Sequence, residues 1–255
     1  MTFVWKSCLP CMALAMTLSG CGGNPSEAPV IEYEIIEEYA HDKDAYTQGL
    51  IWHDGFLYEG TGRVGKSQLR KVDLTSGRVV ESRALGEEYF GEGITILDGK
   101  IYQLTWEAGK AFVYDSESLE LTGEFEYQGE GWGLTHDGRS LIMSSGSAEI
   151  VYRDPKTFRV IRTIEVRDHQ GTVDELNELE WVDGYIYANV WHNEQIIKIS
   201  PKTGNVVGRF YTTRLHRPRP SDAQAVANGI AYDPEKGLFF LTGKLWSKLY
   251  AVKLK

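Results

Sequence analysis

Short apolar runs alternate with turn signals along nearly the whole chain, and the pattern repeats five times. In each repeat a run ends at an acidic turn: Asp54-Gly55, Asp98-Gly99, Asp137-Gly138, Asp183-Gly184 and, more loosely, Asp233 to Gly237. Asp-Gly between apolar runs favours a type I′ hairpin, because both residues tolerate positive φ. Second strands are predicted after these turns at residues 56–60, 100–106, 140–144, 185–191 and 238–242. Third strands follow at 68–72, 111–114, 150–153 and 196–199, and outer strands at 78–84, 120–127, 159–166 and 205–211. Four short strands recurring every roughly 40 to 50 residues is the arithmetic of propeller blades. The predicted fold class is therefore all-β, a five-bladed β-propeller.

The fifth repeat ends with residues 248–254 and lacks an outer strand, which would leave an open edge. The spare extended segment at 31–39 lies before the first repeat and is expected to close that last blade. Helical periodicity is confined to residues 168–179.

Just ahead of each turn, a polar or aromatic residue stands beside Gly or an acid: Gln48-Gly49, Glu92-Gly93, Trp132-Gly133, Asn177-Glu178 and Asn228-Gly229. The innermost strands of a propeller line one channel, so these five positions are expected to face a single pocket. Trp106, Trp132, Trp191 and Trp246 also hold equivalent places in their repeats. Convergent Trp rings make a rigid apolar cage, although blade-to-blade packing is the plainer role for any one of them. Such a cage suits a cationic amino terminus.

Glu92 follows Phe90 and lies between Gly91 and Gly93. A carboxylate beside aromatic walls loses hydration, which raises its pKa and fits it for acid-base work; a salt-bridged channel carboxylate is the alternative. Lys244 is the one cation placed at this face, where it would pair with Glu92 or orient a substrate carbonyl. Asn177, Glu178 and Glu180 offer oxygen ligands of the kind Ca²⁺ takes, but the pattern is weak. No His pair has zinc spacing, and turn chemistry accounts for His53 and His136. No nucleophile elbow, P-loop or dinucleotide fingerprint is present.

The chain has 255 residues, 42% hydrophobic and 25% charged, which fits one large globular domain. Its net charge of -9 would repel a phosphate backbone, so no nucleic-acid partner is expected. Residues 1–20 differ from the rest: Lys6 is their only charge, and the apolar run at 9–18 reads as a signal peptide too short to span a bilayer. Leu18-Ser19-Gly20-Cys21 resembles a bacterial lipoprotein cleavage box, which would make Cys21 the lipidated first residue of the mature chain. Residues 21–29 then form a tether and 30–255 the catalytic propeller. Cys8 and Cys11 would leave with the signal, so neither a disulfide framework nor a Cys metal site is available. The expected location is the cell envelope beyond the inner membrane, with membrane contact through the lipid anchor only.

Motifs spread over every repeat resemble one family. Tyr46-Thr47-Gln48-Gly49-Leu50, Tyr89 to Ile94, Gln103 to Trp106, Glu130 to Leu134, Asn177 to Glu180, Tyr187 to Trp191, Asn228 to Tyr232 and Thr242 to Trp246 together look like the plant and bacterial type of glutaminyl cyclotransferase. The likeness covers nearly all of the chain after about residue 40. It implies a five-bladed propeller that converts the N-terminal Gln of peptides or proteins to pyroglutamate with release of ammonia. It further implies Glu92 as catalytic acid/base and an aromatic pocket of Phe90, Trp106, Trp132 and Trp191. Gln48, Asn177 and Lys244 match polar groups that hold the amide and the oxyanion. Animal enzymes of this activity use zinc on another fold; here no metal or other cofactor is expected, and a monomer is expected. Tyr46 stands where the family pattern has Phe, and residues 145–147 depart from its usual acidic variant, which leaves fine substrate preference open. Two other readings remain: a Ca²⁺-dependent propeller lactonase or esterase using Glu92, Asn177 and Asn228, and a non-catalytic binding propeller of the envelope.

Overall fold

A computed structural model of the chain describes residues 25–215 and 223–255. The expected signal segment, Cys21 and residues 216–222 lie outside these residues.

Five four-stranded antiparallel sheets follow one another in the chain. Their innermost strands are Thr47–His53, Gly91–Leu97, Leu134–His136, Leu176–Val182 and Ala227–Asp233, which define blades 1 to 5. Tyr33–Ala40 completes blade 5 by pairing with Lys248–Leu254, from Tyr33 opposite Leu254 to Ala40 opposite Lys248. The ring is thus sealed between the two ends of the described chain, as the missing outer strand predicts.

The acidic hairpins take the expected form in blades 1, 2 and 4. Asp54 and Gly55 have φ of 48° and 80°, and Asp98-Gly99 and Asp183-Gly184 match them. Blade 3 differs, since only Gly138 there has positive φ. Asp137 instead accepts hydrogen bonds from the amides of Arg139 and Ser140 through Oδ1, an Asx turn that lengthens the loop.

No helix forms at residues 168–179. Arg167–Asp168 pairs with Gly171–Thr172 in a small ribbon, and Leu176 opens the innermost strand of blade 4. Gly171 at φ 139° and Glu175 at φ 61° break any helical run. The misleading periodicity comes from a bulge between Leu176 and Leu179, which sets two inward apolar side chains three residues apart.

Burial falls from axis to rim. All seven residues of Gly91–Leu97 are buried, whereas all six of Val79–Ala84 are exposed. The core consists of five hydrophobic clusters, each shared by two neighbouring blades. Tyr58 and Leu69 of blade 1 meet Ile94, Ile101 and Phe112 of blade 2, and Ala231 and Phe240 of blade 5 meet Leu50 and Leu57 of blade 1. Each such Leu, Ile or Phe contributes roughly 1.5–3 kcal/mol by leaving water, so the apolar stabilisation is spread around the ring.

Glycine lets the inner strands approach. A Cβ on Gly93 would lie 2.5 Å from the Trp132 carbonyl oxygen, which accepts the Gly93 amide at 2.7 Å. A Cβ on Gly133 would overlap the Asn177 carbonyl. In blade 4 the equivalent residue is Glu178, and its carboxylate reaches across the channel. Oε1 accepts the Leu50 amide of blade 1 at 3.2 Å, and Oε2 accepts the Ile230 amide of blade 5 at 2.8 Å.

A buried ion pair fastens the closing strand. His41 sits just after it, with Nδ1 2.7 Å from the Trp246 carbonyl and Nε2 3.0 Å from Glu59 Oε1. Two acceptors on two ring nitrogens call for the imidazolium. Burial alone would lower the His41 pKa, but the Glu59 charge and hydrogen bond outweigh it and raise the value.

Candidate active site

The bulges that disturb the inner strands also build the site. Register slips fall between Thr47 and Gly49, Gly91 and Ile94, Leu176 and Leu179, and Ala227 and Ile230. Gln48, Glu92, Asn177 and Asn228 sit at these slips, where a bulge turns a side chain out of the ladder. In blade 3, Trp132 takes the matching place just before the strand, held by its amide donating to the Ser144 carbonyl at 3.0 Å.

A cavity of about 260 Å³ opens over this ring, lined by Tyr46, Gln48, Arg63, Phe90, Glu92, Trp106, Trp132, Asn177, Trp191, Gln224 and Lys244. All eight of the expected catalytic and binding residues, Glu92, Gln48, Phe90, Trp106, Trp132, Asn177, Trp191 and Lys244, are therefore brought together. Asn228 lies one layer behind. Its Nδ2 donates to the Thr47 carbonyl at 2.9 Å and to Gln48 Oε1 at 3.2 Å. That fixes the Gln48 amide with its nitrogen toward Glu92, where Nε2 donates to Oε1 at 2.8 Å.

Glu92 is 4% exposed. Burial pushes its pKa well above the usual carboxylate value; the Lys244 charge opposes this and the Glu130 charge adds to it. Burial also lowers Lys244 to about 8, against the pull of Glu92. Of the two roles open to Lys244, direct pairing with Glu92 is not seen among the described residues. The Lys244 ammonium stands 4.9 Å from the centre of the Tyr46 ring and 5.9 Å from that of Trp191. Its charge is thus left available to a third group.

The aromatic walls are braced. Phe90 meets Trp106 edge-on at 5.7 Å, and Trp132 meets Trp191 at 5.4 Å and 87°. Glu130 Oε2 accepts both the Trp106 and the Trp132 indole N–H at 2.8 Å, clamping two cage members with one atom. Trp246 is not part of the cage. It is 3% exposed, and its indole donates to the Ala225 carbonyl at 3.0 Å within the packing of blades 4 and 5.

Two buried polar groups lie close to the site and differ in their tasks. Asn177 Oδ1 is a buried acceptor with no hydrogen-bond partner among the described residues, in a residue that lines the cavity. Ser144 has a structural task, donating to the Asn177 carbonyl at 2.6 Å and accepting the Gly133 amide at 2.7 Å. Several of the oxygens considered for Ca²⁺ are taken up within the protein. Both Glu178 oxygens accept backbone amides, Asn228 faces Gln48, and no group of three or more His, Cys, Asp and Glu converges among the described residues.

Arg63, Gln224 and the clamp role of Glu130 escape the repeat logic. The first two lie on connecting loops, which the inner-strand register does not index; Glu130 stands two residues ahead of Trp132, inside a motif that carries the resemblance.

The family model described as glutamine cyclotransferase matches residues 8–254. A glutaminyl-peptide cyclotransferase of Arabidopsis thaliana is 40% identical over 229 residues, 88% of this chain and 72% of that protein. The crystal structure of Myxococcus xanthus glutaminyl cyclase superposes with a TM-score of 0.83 at 36% identity, over 90% of this chain and 99% of that one.

Proposed function

The chain belongs to the glutamine cyclotransferase family, and from that premise we propose how its pocket closes the N-terminal Gln of a peptide into pyroglutamate. The observation that carries the reading is the buried Gln48–Glu92 hydrogen bond at a cavity that also holds Lys244. The α-amine must attack the side-chain amide carbon of its own residue, so no protein nucleophile is needed. The pocket has to fold the side chain back on itself and carry a proton from the amine to the departing ammonia.

Phe90, Trp106, Trp132 and Trp191 hold the folded methylenes and keep water off the reacting carbon. Asn177 lines the cavity beside the amine and helps to orient it for attack. As the new C–N bond forms, Glu92 takes a proton from the amine, becoming the neutral acid that burial favours. The carbonyl oxygen gains negative charge in that step, and the Lys244 ammonium offsets it. Glu92 then returns its proton to the amide nitrogen, the old C–N bond breaks, ammonia leaves and the lactam remains. Gln48 keeps Glu92 in place throughout.

Every proton in this sequence passes through Glu92, so no metal or other cofactor is called for. The test is a Gln-starting peptide incubated with the enzyme and with Glu92→Gln, each with and without EDTA, following ammonia release and peptide mass. Cyclisation by wild type alone, unaffected by chelator, supports the reading. Cyclisation by a folded Glu92→Gln protein, or its loss in EDTA, overturns it.

A further inference from the structure

A second cavity of about 450 Å³ adjoins the first and shares Tyr46 and Arg63 with it. Its other lining residues include Lys66, Arg70 and Asp44. Resting on the cyclisation reading above, we propose that this cavity is the subsite for the residue after the N-terminal Gln, and that Arg63 and Lys66 give it a preference for an acidic side chain.

The route out of the first cavity points there. Aromatic rings and their Glu130 clamp wall it on the side of blades 2 to 4, while on the side of blade 1 the boundary is Tyr46 and Arg63. The Tyr46 ring contacts two cations, the Arg63 guanidinium at 4.7 Å and the Lys244 ammonium at 4.9 Å. A peptide whose Gln occupies the first cavity passes over this ring, and its second residue arrives beside Arg63.

The charges in the second cavity are unequal in their commitments. Arg70 is engaged by Asp42 at 2.9 Å and lies 3.7 Å from Glu59, and Asp44 pairs with Lys43 at 3.0 Å. Arg63 and Lys66 form no ion pair among the described residues. Two cations without a carboxylate partner thus line this cavity in a chain whose net charge is -9.

The loop that presents them is fixed in place. Arg63 has φ 89°, a conformation a side-chain-bearing residue adopts only at a cost. Its carbonyl accepts the Lys66 amide and the Ser67 hydroxyl, both at 2.9 Å, and Ser67 Oγ accepts the Gly91 amide at 2.9 Å. A strained turn tied to the strand that carries Glu92 thus fixes the backbone from which Arg63 extends.

The experiment is a kcat/KM series on peptides identical except for Glu, Ala or Lys after the Gln, run with wild type, Arg63→Gln, Arg63→Lys and Lys66→Gln. Wild type should favour Glu over Lys roughly fivefold, the scale of a partly exposed charge pair. The ratio should shrink in Arg63→Gln and Lys66→Gln, persist in Arg63→Lys, and fall as salt is raised. Equal rates on all three peptides, or a preference untouched by both neutral variants, would overturn the subsite while leaving cyclisation intact. Failure to cyclise any of the peptides would instead remove the reading on which it rests.

Discussion

Glu92 and Glu178 occupy the innermost strands of blades 2 and 4, both almost wholly buried, both with pKa pushed well above the ordinary carboxylate value chiefly by burial. They differ in their partners. Glu178 gives each oxygen to a backbone amide, one from blade 1 and one from blade 5, and so belts the ring across its channel. Glu92 accepts one side-chain N–H on one oxygen, and its other oxygen has no partner among the described residues. A raised pKa therefore marks a buried acid, while unused acceptor capacity beside a cavity marks a reactive one.

The sharpest way to break this contrast is Glu92→Gln. Its kcat should fall about 10³-fold, the scale of a lost acid-base group, with Tm unchanged or raised. The sign follows from the raised pKa. Above the unfolded value the folded state holds the extra proton, so wild-type stability declines as pH rises through that window, and a neutral amide removes the decline. Steady-state kinetics with thermal melts at several pH values would check both halves.

Glu178→Ala should do the reverse. Stranding two buried amides costs on the order of 3 kcal/mol, read as a lower midpoint in urea, while the folded fraction keeps its turnover. A stable Glu178→Ala protein with lost turnover would erase the distinction.

Lys244→Met comes next, with kcat/KM down about 10²-fold. Because burial lowers Lys244 from 10.5 to about 8, the folded state binds fewer protons than the unfolded chain between those values. Wild-type stability should rise with pH across that window, and the Met variant should lose the dependence. In wild type the alkaline limb of kcat is expected near pH 8 and should move upward in Lys244→Arg.

Glu130→Gln is the mildest change. With one negative charge removed, the Glu92 pKa drops and the acid limb of the pH–rate profile shifts down, alongside a loss of a few-fold as the Trp clamp loosens.

Most of this architecture was legible because a propeller repeats its grammar. Acidic turns located the hairpins, the missing fifth outer strand located the closure, and residues such as Gln48 and Asn177 could be grouped by phase alone. Phase fails where a residue is indexed by nothing periodic: Arg63 sits in an irregular loop, and Gln224 precedes its strand. It misleads at Trp246, where an equivalent position serves packing, and at residues 168–179, where a bulge imitates helical spacing. Glu178 looked like a ligand because sequence shows an acid but not the two amides across the channel that occupy it.

Pairing Tyr33 with Leu254 also sets how the molecule must assemble. Closure joins partners separated by almost the whole described chain, the long-range kind of contact that slows folding. Until it happens, Lys248–Leu254 presents an open edge that the equivalent first strand of another molecule fits as well as its own. Refolding is thus a contest between self-sealing, which is independent of concentration, and strand exchange between copies, which is not, so dilution should favour the closed single ring over swapped assemblies.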